Sequence, residues 1–278
     1  MAGCPGCRYN TRRPFQELTV RNDIHPSALV SSQARLGDNN LLGPHVLIED
    51  DVQLGDGNVL MAGVVLKAGT RLGCHNTVHE YAVLGGVPQD IQFDAATPSF
   101  LEIGDHNTLR EYVTVNRASQ ANAATRIGNN NYLMTEVHLG HDCVLGNDIV
   151  IAPGTGLGGF VEVADRAFLS GGVMVHQFVH IGGYAMVGGN AKITRNVLPY
   201  MITDGVPARV RGLNLIGLQR AGFSREDIRT LKQAYQLIHR SGEPQATIVD
   251  GLRALNSPFG AELADFISQA RRGYHRET

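Results

Sequence analysis

Residues 136–143 (EVHLGHDC) hold the densest group of side chains that could do chemistry. They include two histidines, His138 and His141, and the carboxylate of Asp142 directly follows the second one. Histidine is well suited to take a proton from a hydroxyl group near neutral pH, and a neighbouring carboxylate can orient its ring. The pattern therefore favours a general base that activates a hydroxyl nucleophile.

A six-residue repeat must position these side chains. Aliphatic residues recur at every sixth position over residues 24–84, 103–115 and 127–193, and glycine often follows them. A period of six fits neither an α-helix nor the simple alternation of a strand. It is typical of a parallel β-helix, in which each repeat is a short strand with a turn and the aliphatic side chains stack inside.

In the hexapeptide-repeat proteins that this pattern resembles, three repeats form one triangular coil, so residues 18 apart are stacked. Steps of 18 from His141 lead to Gly159 and then to Gln177, which follows His176. Strands of neighbouring coils are expected about 4.8 Å apart. We therefore expect the candidate base beside a glycine whose backbone N–H can be approached closely. Acyl transfer needs such a pair, because the N–H stabilises the oxyanion that forms at the attacked carbonyl.

The repeat also predicts where the β-helix begins, ends and is interrupted. An N-terminal extension is expected over residues 1–23 and the β-helix over residues 24–199. Two segments, 85–102 and 116–126, break the repeat and are predicted to leave the β-helix as loops. Loops of this length on a rigid scaffold are frequent sites of function.

Residues 200–278 are predicted to form a small helical C-terminal domain. Ser224 and Asp227 resemble a capping box at the start of an amphipathic helix that ends at Ser241 and Gly242. Two more helices are expected at residues 245–256 and 258–272, the second with a proline in its first turn.

Composition excludes several classes of function. The formal net charge of −2 gives no reason to expect a nucleic-acid partner. No apolar run approaches the ~20 residues that span a membrane, and the N-terminus lacks the apolar core of a secretory signal. These features predict a cytoplasmic protein with reduced thiols. Cys4 and Cys7 have C-x-x-C spacing, but no second pair follows, so we expect no zinc site there.

One segment has a strong charge bias. Residues 205–240 contain seven lysines and arginines against two carboxylates, a net charge of +5 in a chain of −2. Such asymmetry can steer an acidic protein partner towards this segment. A merely solvated helix face is the simpler alternative, and the charge pattern alone leaves both open.

The histidines have other interpretations. On the turns of a β-helix they can be ordinary hydrogen-bonded surface groups. In a trimer, His138, His141, His176 and His180 could instead bind zinc, as in a carbonic-anhydrase-like hydratase. No cluster of carboxylates that would hydrogen-bond to zinc-bound histidines accompanies them, so the sequence predicts neither a metal nor another cofactor.

Three segments narrow the resemblance to one family. The runs TEVHLGHDCVLGN, GVMVHQFVHIG and GLNLIGLQRAGFSREDIRTLKQAYQLIHRSG resemble UDP-N-acetylglucosamine O-acyltransferases, and the resemblance covers roughly residues 24–242. It implies an all-β, left-handed parallel β-helix with a small helical C-terminal domain, assembled as a homotrimer. It also implies transfer of a (3-hydroxy)acyl chain from acyl carrier protein to the 3-position of UDP-N-acetylglucosamine.

The resemblance also implies roles for individual residues. His141 matches the general base, Asp142 the carboxylate that orients it, and Gly159 the backbone donor to the oxyanion. Gly189 matches the position that limits the length of the acyl chain. The remaining matches are substrate-binding residues, of which the last two would reach the nucleotide from a neighbouring subunit: Gln89, Asp90, His138, His176, Gln177, Asn214 and Arg220.

Several positions depart from the family pattern. Lysine, histidine, histidine, glutamate and arginine are expected at five places where this chain has Gln92, Phe160, Pro207, Ile216 and Ala221. Lost cations and hydrogen bonds near a nucleotide weaken its binding. The acyl-transfer chemistry is therefore predicted more firmly than the acceptor. A paralogue that acts on a different UDP-sugar, or that binds without turnover, is the alternative.

Overall fold

The computed structural model describes residues 22–270 and 272–277. From Asp23 to Ile193 the chain winds as a parallel β-helix of short strands that fall into three sheets. Apart from the strands at the sheet ends, each strand of the β-helix pairs with those of the coils before and after it, so neighbours are three strands apart along the chain. Residues 1–21 of the predicted extension, including Cys4 and Cys7, lie outside the described residues.

The strands are short, and their bounds follow the hexapeptide repeat. Sheet A contains β1 (Asp23–Ile24), β4 (Leu41–Leu42), β7 (Val59–Leu60), β10 (Thr77–Val78), β13 (Thr108–Leu109), β16 (Tyr132–Leu133), β19 (Val150–Ile151), β22 (Phe168–Leu169), β25 (Met186–Val187), β27 (Met201–Asp204) and β28 (Arg209–Leu213). Sheet B contains β2 (Leu29–Val30), β5 (Leu47–Ile48), β8 (Val65–Leu66), β11 (Val83–Gly86), β14 (Thr114–Asn116), β17 (His138–Leu139), β20 (Gly156–Leu157), β23 (Met174–Val175) and β26 (Lys192–Ile193). Sheet C contains β3 (Arg35–Leu36), β6 (Gln53–Leu54), β9 (Thr70–Leu72), β12 (Phe100–Ile103), β15 (Ala124–Ile127), β18 (Val144–Leu145), β21 (Glu162–Val163) and β24 (His180–Ile181).

The aliphatic residue of each repeat points inward and is stacked on its equivalents. Leu139 pairs with Leu157, and Leu157 pairs with Val175, which confirms the predicted spacing of 18 residues per coil. These side chains are buried, and each fully buried one contributes about 1.5–3 kcal/mol to stability. The exceptions are Val30 and Leu36, which are half-buried, and Ile24, with 41% of its surface exposed. Ile24 lies in the first coil, whose sheet A strand pairs on one side only.

A ladder of buried asparagines stabilises the corner where sheet C is followed by sheet A. The side-chain oxygen of Asn40 accepts hydrogen bonds from the backbone and side-chain nitrogens of Asn58, at 2.8 and 3.1 Å. The same contacts recur up the ladder and satisfy amides that would otherwise be buried without partners. Its members are the half-buried Asn22 and the buried Asn40, Asn58, Asn76, Asn107 and Asn131.

Both predicted loops leave the β-helix at one corner, where sheet B is followed by sheet C. We call this the BC corner; residues 140–143, 158–161 and 176–179 form it in three successive coils. The loops are shorter than the breaks in the repeat suggested. Their irregular parts span residues 87–99 and 117–123, because the flanking residues still pair with neighbouring coils.

The β-sheet structure continues past the predicted end at residue 199. Strand β27 pairs in parallel with β25, and the chain then reverses so that β28 pairs antiparallel with β27. Four helices follow: α1 (Leu215–Arg220), α2 (Arg225–Arg240), α3 (Gln245–Arg253) and α4 (Pro258–Gln269). The capping box of Ser224 and Asp227 is present at the start of α2. Helix α1 was not apparent from the sequence, and α3 and α4 each end three residues before their predicted ends.

The C-terminal tail returns to the last coil of the β-helix. Tyr274 forms a bridge to Asn196, and the N–H of His275 donates to the carbonyl of Asn196 at 3.0 Å. Arg272, two residues before Tyr274, is thereby held near the BC corner. None of the helices in the described part of the chain is long and apolar enough to cross a membrane.

Candidate active site

His141 and Asp142 form a hydrogen-bonded pair at the BC corner. Nδ1 of His141 lies 2.7 Å from Oδ2 of Asp142. Adjacent side chains can meet in this way because Asp142 has a φ of 60°, which turns the chain sharply. Both side chains are mostly buried, with 18% and 10% of their surfaces exposed. Because Nδ1 faces a carboxylate, it carries the ring proton, and Nε2 is left as the proton acceptor.

Gly159 lies directly beside His141 in the next coil, as the repeat predicts. The N–H of Phe160 donates to the carbonyl of His141 at 3.0 Å, and the N–H of Phe178 donates to the carbonyl of Gly159 at 3.1 Å. A Cβ atom on Gly159 would be 2.6 Å from Cε1 of His141. Glycine is therefore required here, because any side chain would displace the imidazole ring.

The backbone N–H of Gly159 donates no hydrogen bond within the described part of the chain. Gly140 keeps the space around it clear, since a Cβ atom on Gly140 would be 2.8 Å from the nitrogen of Gly159. The N–H thus stands beside the imidazole as an available donor. This is the arrangement expected of an oxyanion-binding group. The sequence did not single out Gly140, although glycine stands one residue before the candidate base.

Two contacts from the second loop and its flanking strand hold Asp142 in place. The N–H of Ser119 donates to Oδ2 of Asp142 at 3.0 Å, and the N–H of Asp142 donates to the fully buried hydroxyl of Thr125 at 2.8 Å. The carboxylate therefore has a fixed orientation before any substrate arrives. Sequence reasoning missed both residues, because they lie 23 and 17 positions away and outside the 18-residue register.

The first loop is tied to the second one. The side-chain amide of Asn116 donates to the carbonyl of Val87, and Arg117 donates to the carbonyl of Ala95, each at 2.9 Å. Gln89 and Asp90 lie on this first loop with exposed side chains. The structure thus places both predicted acceptor-binding residues on the corner that carries His141.

An aromatic stack continues the corner beyond His141. Phe160 meets the imidazole edge-on, with ring centroids 5.3 Å apart, and stacks on Phe178 at 4.7 Å. The guanidinium of Arg272, from the C-terminal tail, lies 5.9 Å from the ring centroid of Phe178. Where the family pattern has a histidine, this chain therefore places an apolar wall against the base.

His176 and Gln177 lie exposed on this corner, in the coil after Gly159. His138 is half-buried on the outer face of sheet B, and its Nδ1 is 2.7 Å from the hydroxyl of Thr114. Burial lowers the pKa of His138, so the imidazole is neutral near pH 7. The neighbouring Cys143 is buried, and burial raises the pKa of its thiol to about 12. It is therefore no candidate nucleophile.

The other predicted site residues lie apart from the base. Asn214 is buried and caps helix α1: its side chain accepts from the N–H of Gly217 at 3.2 Å and donates to the carbonyl of Tyr184 at 2.9 Å. Arg220 is exposed in the last turn of α1. Gly189 is exposed, and a Cβ atom there would meet nothing closer than 3.6 Å.

The departures from the family pattern are also visible. Gln92 is exposed on the first loop, and Pro207 is exposed between β27 and β28. Ile216 is 66% exposed on α1, and Ala221 caps the end of that helix. Together with Phe160, these residues put apolar or uncharged groups where polar contacts were expected.

Among the described residues, the histidines of the zinc hypothesis do not converge on a common point within one chain. The group of His79, Glu80 and Glu111 does have three potential ligand atoms within 4.8 Å of one another. Glu111, however, is bound by the guanidinium of Arg110 at 2.8 Å, which holds the pKa of that carboxyl down to about 2. An arginine already neutralises this carboxylate, so the group is poorly suited to a second cation.

The sequence matches known protein families. The family model described as "Udp N-acetylglucosamine O-acyltransferase; Domain 2" matches residues 196–275, and the model of bacterial transferase hexapeptides matches residues 124–159. Several proteins named acyl-[acyl-carrier-protein]--UDP-N-acetylglucosamine O-acyltransferase are similar to this chain over nearly their whole length. The relative from Verminephrobacter eiseniae is 44% identical over 92% of this chain and 100% of its own. The relative from Thiobacillus denitrificans is 45% identical over 91% of this chain and 99% of its own.

Solved structures show the same architecture. A UDP-N-acetylglucosamine acyltransferase from Bacteroides fragilis is 38% identical and has a TM-score of 0.88, covering 91% of this chain and 100% of its own. The enzyme from Moraxella catarrhalis is 36% identical and has a TM-score of 0.87, covering 91% of this chain and 100% of its own. The predicted left-handed β-helix with helices at the C-terminal end is thereby confirmed. At this identity and coverage, the chain belongs to the family of acyl-carrier-protein-dependent UDP-N-acetylglucosamine O-acyltransferases.

Proposed function

We propose that this protein transfers a (3-hydroxy)acyl group from acyl carrier protein to the 3-hydroxyl of UDP-N-acetylglucosamine. The observation that carries the proposal is the His141–Asp142 pair beside the available N–H of Gly159. A base and an oxyanion donor are the two groups that an alcohol needs to attack a thioester. The names of the relatives supply the substrates.

The geometry indicates how each step proceeds. Nε2 of His141 takes the proton from the sugar hydroxyl while the oxygen attacks the thioester carbon. The N–H of Gly159 donates to the oxyanion of the tetrahedral intermediate. When that intermediate collapses, the carbon–sulfur bond breaks and the imidazolium gives its proton to the leaving thiolate, which becomes the free thiol of the carrier protein. Asp142 accepts from Nδ1–H throughout and stabilises the positive ring. The sequence of steps consumes no metal or cofactor.

We assign the surrounding residues to substrate binding. Gln89 and Asp90 would contact the sugar from the first loop, and His138, His176 and Gln177 would line the acceptor and pantetheine cleft. Arg220 and Asn214 would approach the nucleotide of a neighbouring subunit. For Asn214 this contact must come in addition to its capping bonds, which already occupy much of the side-chain amide.

A homotrimer would complete this cleft, and the outer faces of the sheets support one. Sheets A and B expose apolar side chains such as Phe168, Leu29 and Met174, of which the last two are 68% and 54% exposed. The outer face of sheet C is mostly charged or polar: Arg35, Gln53, Arg71, Glu102, Arg126, Glu162 and His180. Two adjacent apolar faces suit a ring in which sheet A of one subunit packs on sheet B of the next.

The location of His141 fits this assembly. It lies at the edge of sheet B, and His138 lies on the outer face of that sheet. A neighbouring subunit packed on sheet B would cover one side of the cleft and exclude water from it. The substrate would then bind between two subunits, and residues from both would contact it.

The donor and the location of the protein complete the proposal. The net charge of +5 over residues 205–240 would favour an acidic carrier protein, and Arg225 and Lys232 are exposed on α2. We also propose a cytoplasmic location. In keeping with it, the two described cysteines, Cys74 and Cys143, are free thiols.

The direct test is acyl transfer from a panel of 3-hydroxyacyl carrier proteins to UDP-N-acetylglucosamine. Wild-type protein should form the 3-O-acyl product, and His141→Ala should lose nearly all activity while keeping its fold. His25→Ala, an exposed histidine of the first coil, is the matched control and should retain activity. Absence of product with every donor from folded wild-type protein would refute the proposal, as would an active His141→Ala variant.

A further inference from the structure

Arg272 approaches the BC corner from the C-terminal tail. Its Nη1 atom donates to the carbonyl of Gln177 at 2.8 Å and lies 3.0 Å from Nδ1 of His176. The guanidinium also lies over the ring of Phe178, at 5.9 Å from the centroid. Arg272 is 95 residues away from Gln177 in the sequence, so only the return of the tail brings it to this corner.

The charge of Arg272 is not neutralised within the described part of the chain. It forms no ion pair there, its side chain is exposed, and its Nη2 and Nε atoms have no hydrogen-bond partner among those residues. One nitrogen thus fixes the guanidinium to the corner, and the other two remain available. Arginine with free adjacent donors binds phosphate oxygens in a bidentate manner.

A cavity of about 760 Å³ adjoins the guanidinium. It opens between the last coils of the β-helix and the end of α4, and its lining residues are Phe178, His180, Asn196, Ser268, Gln269 and Arg272. The described wall holds no carboxylate. Two of its donors are already engaged: the hydroxyl of Ser268 donates to the carbonyl of Ala264, and Nε2 of His180 lies 3.4 Å from Glu162. An anionic group would therefore be bound mainly by Arg272, with the amide of Gln269 as a further donor.

The separation between His141 and Gln177, to which Arg272 is hydrogen-bonded, indicates which anionic group binds here. Gln177 lies two coils above His141, a separation of roughly 10 Å at the usual spacing of strands. In a UDP-sugar the diphosphate is joined to C1, two carbons from the 3-hydroxyl. In the donor, two amide units separate the pantetheine phosphate from the thioester, which places it considerably further from the reacting atoms. The shorter separation fits the acceptor.

We propose that Arg272 binds the diphosphate of the UDP-sugar acceptor and thereby positions its 3-hydroxyl at His141. This inference rests on the proposed function and adds to it a substrate-binding residue. Both possible ligands, the acceptor diphosphate and the donor phosphopantetheine, are phosphate esters. The experiment must therefore distinguish them.

The test compares Arg272→Gln, Arg272→Lys and Arg276→Gln by steady-state kinetics, with each substrate varied separately. Arg276 is a matched control, because it belongs to the same tail and lies over an aromatic ring, Tyr274, at 5.3 Å. We expect Arg272→Gln to raise KM for the UDP-sugar about 10- to 100-fold, the usual effect of losing a charge-assisted contact. Its kcat and its KM for acyl carrier protein should change much less. Arg272→Lys should recover part of the loss, and Arg276→Gln should resemble wild type.

Calorimetric binding of UDP, uridine and 4′-phosphopantetheine separates this inference from the proposed function. UDP should bind more weakly to Arg272→Gln than to wild type, whereas uridine should bind both proteins equally, even if no acyl product is ever detected. Weaker binding of phosphopantetheine alone, or a raised KM for the carrier protein alone, would overturn the assignment to the acceptor. If Arg272→Gln binds UDP as wild type does but has a lower melting temperature, Arg272 only stabilises the fold, and the proposal is wrong.

Discussion

The Oδ2 atom of Asp142 lies 2.7 Å from Nδ1 of His141, within one residue of sequence, because a left-handed turn brings the two side chains together. The same oxygen accepts the N–H of Ser119 at 3.0 Å. The imidazole of His141, our proposed base, is therefore oriented by a carboxylate that the second loop holds in place. Since Nδ1–H is engaged, only Nε2 can accept a proton from substrate, and the first predictions follow from this geometry.

Removal of the base should abolish turnover without unfolding the protein. We expect His141→Ala to lower kcat by about 10²–10⁴-fold, the usual contribution of general base catalysis. Asp142→Asn keeps the shape but removes the charge that stabilises the imidazolium, so we expect about 10²-fold loss or more. Rates under saturating substrates and circular dichroism spectra check both effects. A variant with wild-type kcat would show that the pair is not the catalytic base.

Gly159→Ala should inactivate the protein by displacing the imidazole, since the added Cβ would be 2.6 Å from Cε1 of His141. Activity should fall at least 10²-fold with only a modest change in melting temperature. Gly251→Ala is the control. Gly251 lies within helix α3, and an added Cβ would be at an ordinary contact distance of 3.6 Å from the side chain of Leu237 on α2. That variant should stay active and gain about 0.5–1 kcal/mol of stability. Equal activity of the two variants would contradict the proposed role of Gly159.

A larger residue at position 189 should change which donor is preferred. Gly189 is exposed and has room around it, with Gly171 carbonyl oxygen the nearest atom to an added Cβ at 3.6 Å. We therefore expect Gly189→Met to fold normally and to favour a shorter acyl chain than wild type. Relative kcat/KM values across donors of increasing length measure this shift. The same preferred length in both proteins would place the end of the acyl chain elsewhere.

A charge on the outer face of sheet B should disrupt the proposed trimer. Met174 is 54% exposed on that face, and burying a glutamate in its place at an apolar interface would be unfavourable. Val144 is 40% exposed on the charged face of sheet C and provides the control. Sedimentation velocity should detect smaller species for Met174→Glu, and assays should show that this variant has lost activity. Val144→Glu should resemble wild type in both measurements. Dissociation by the second substitution alone would assign the interface to sheet C.

The C-terminal helices should make stability dependent on pH. His239 on α2 is half-buried and its Nδ1 has no hydrogen-bond partner within the described residues. Burial lowers its pKa to about 4, with Glu277 opposing this shift and Arg276 and Arg240 reinforcing it. In the unfolded chain the pKa is about 6.5. Between these two values the unfolded state binds more protons, so stability decreases as the pH falls from about 6.5 to about 4.

Urea unfolding at pH 7.5, 6, 5 and 4.5 can measure this effect. His239 should account for a loss of up to about 3 kcal/mol across the window, and His239→Gln should show a correspondingly smaller slope. The comparison uses slopes, because the substitution also changes packing at every pH. An identical pH dependence in both proteins would show that another group controls stability in this range.

The amino-acid sequence was sufficient to predict the β-helix and the stacking of His141 beside Gly159. Each coil repeats the same short strand and turn, so a fixed spacing of 18 residues places His141 beside Gly159 and aligns Leu139 with Leu157. Local signals were equally sufficient for the start of α2, where Ser224 and Asp227 lie within one turn of each other. In each case the interacting residues are close in sequence or follow a constant period, so the pattern carries the geometry.

Only the tertiary structure decided which distant residues complete the site. Ser119 and Thr125 come from the break in the repeat, where no period predicts which atoms face Asp142. Arg272 reaches Gln177 because the helices pack and the tail then returns to the last coil. Such contacts depend on the path of irregular chain and on the packing of separate elements. The path of the chain and the packing of separate elements do not follow from a local spacing of residues. The sequence alone therefore could not reveal these contacts.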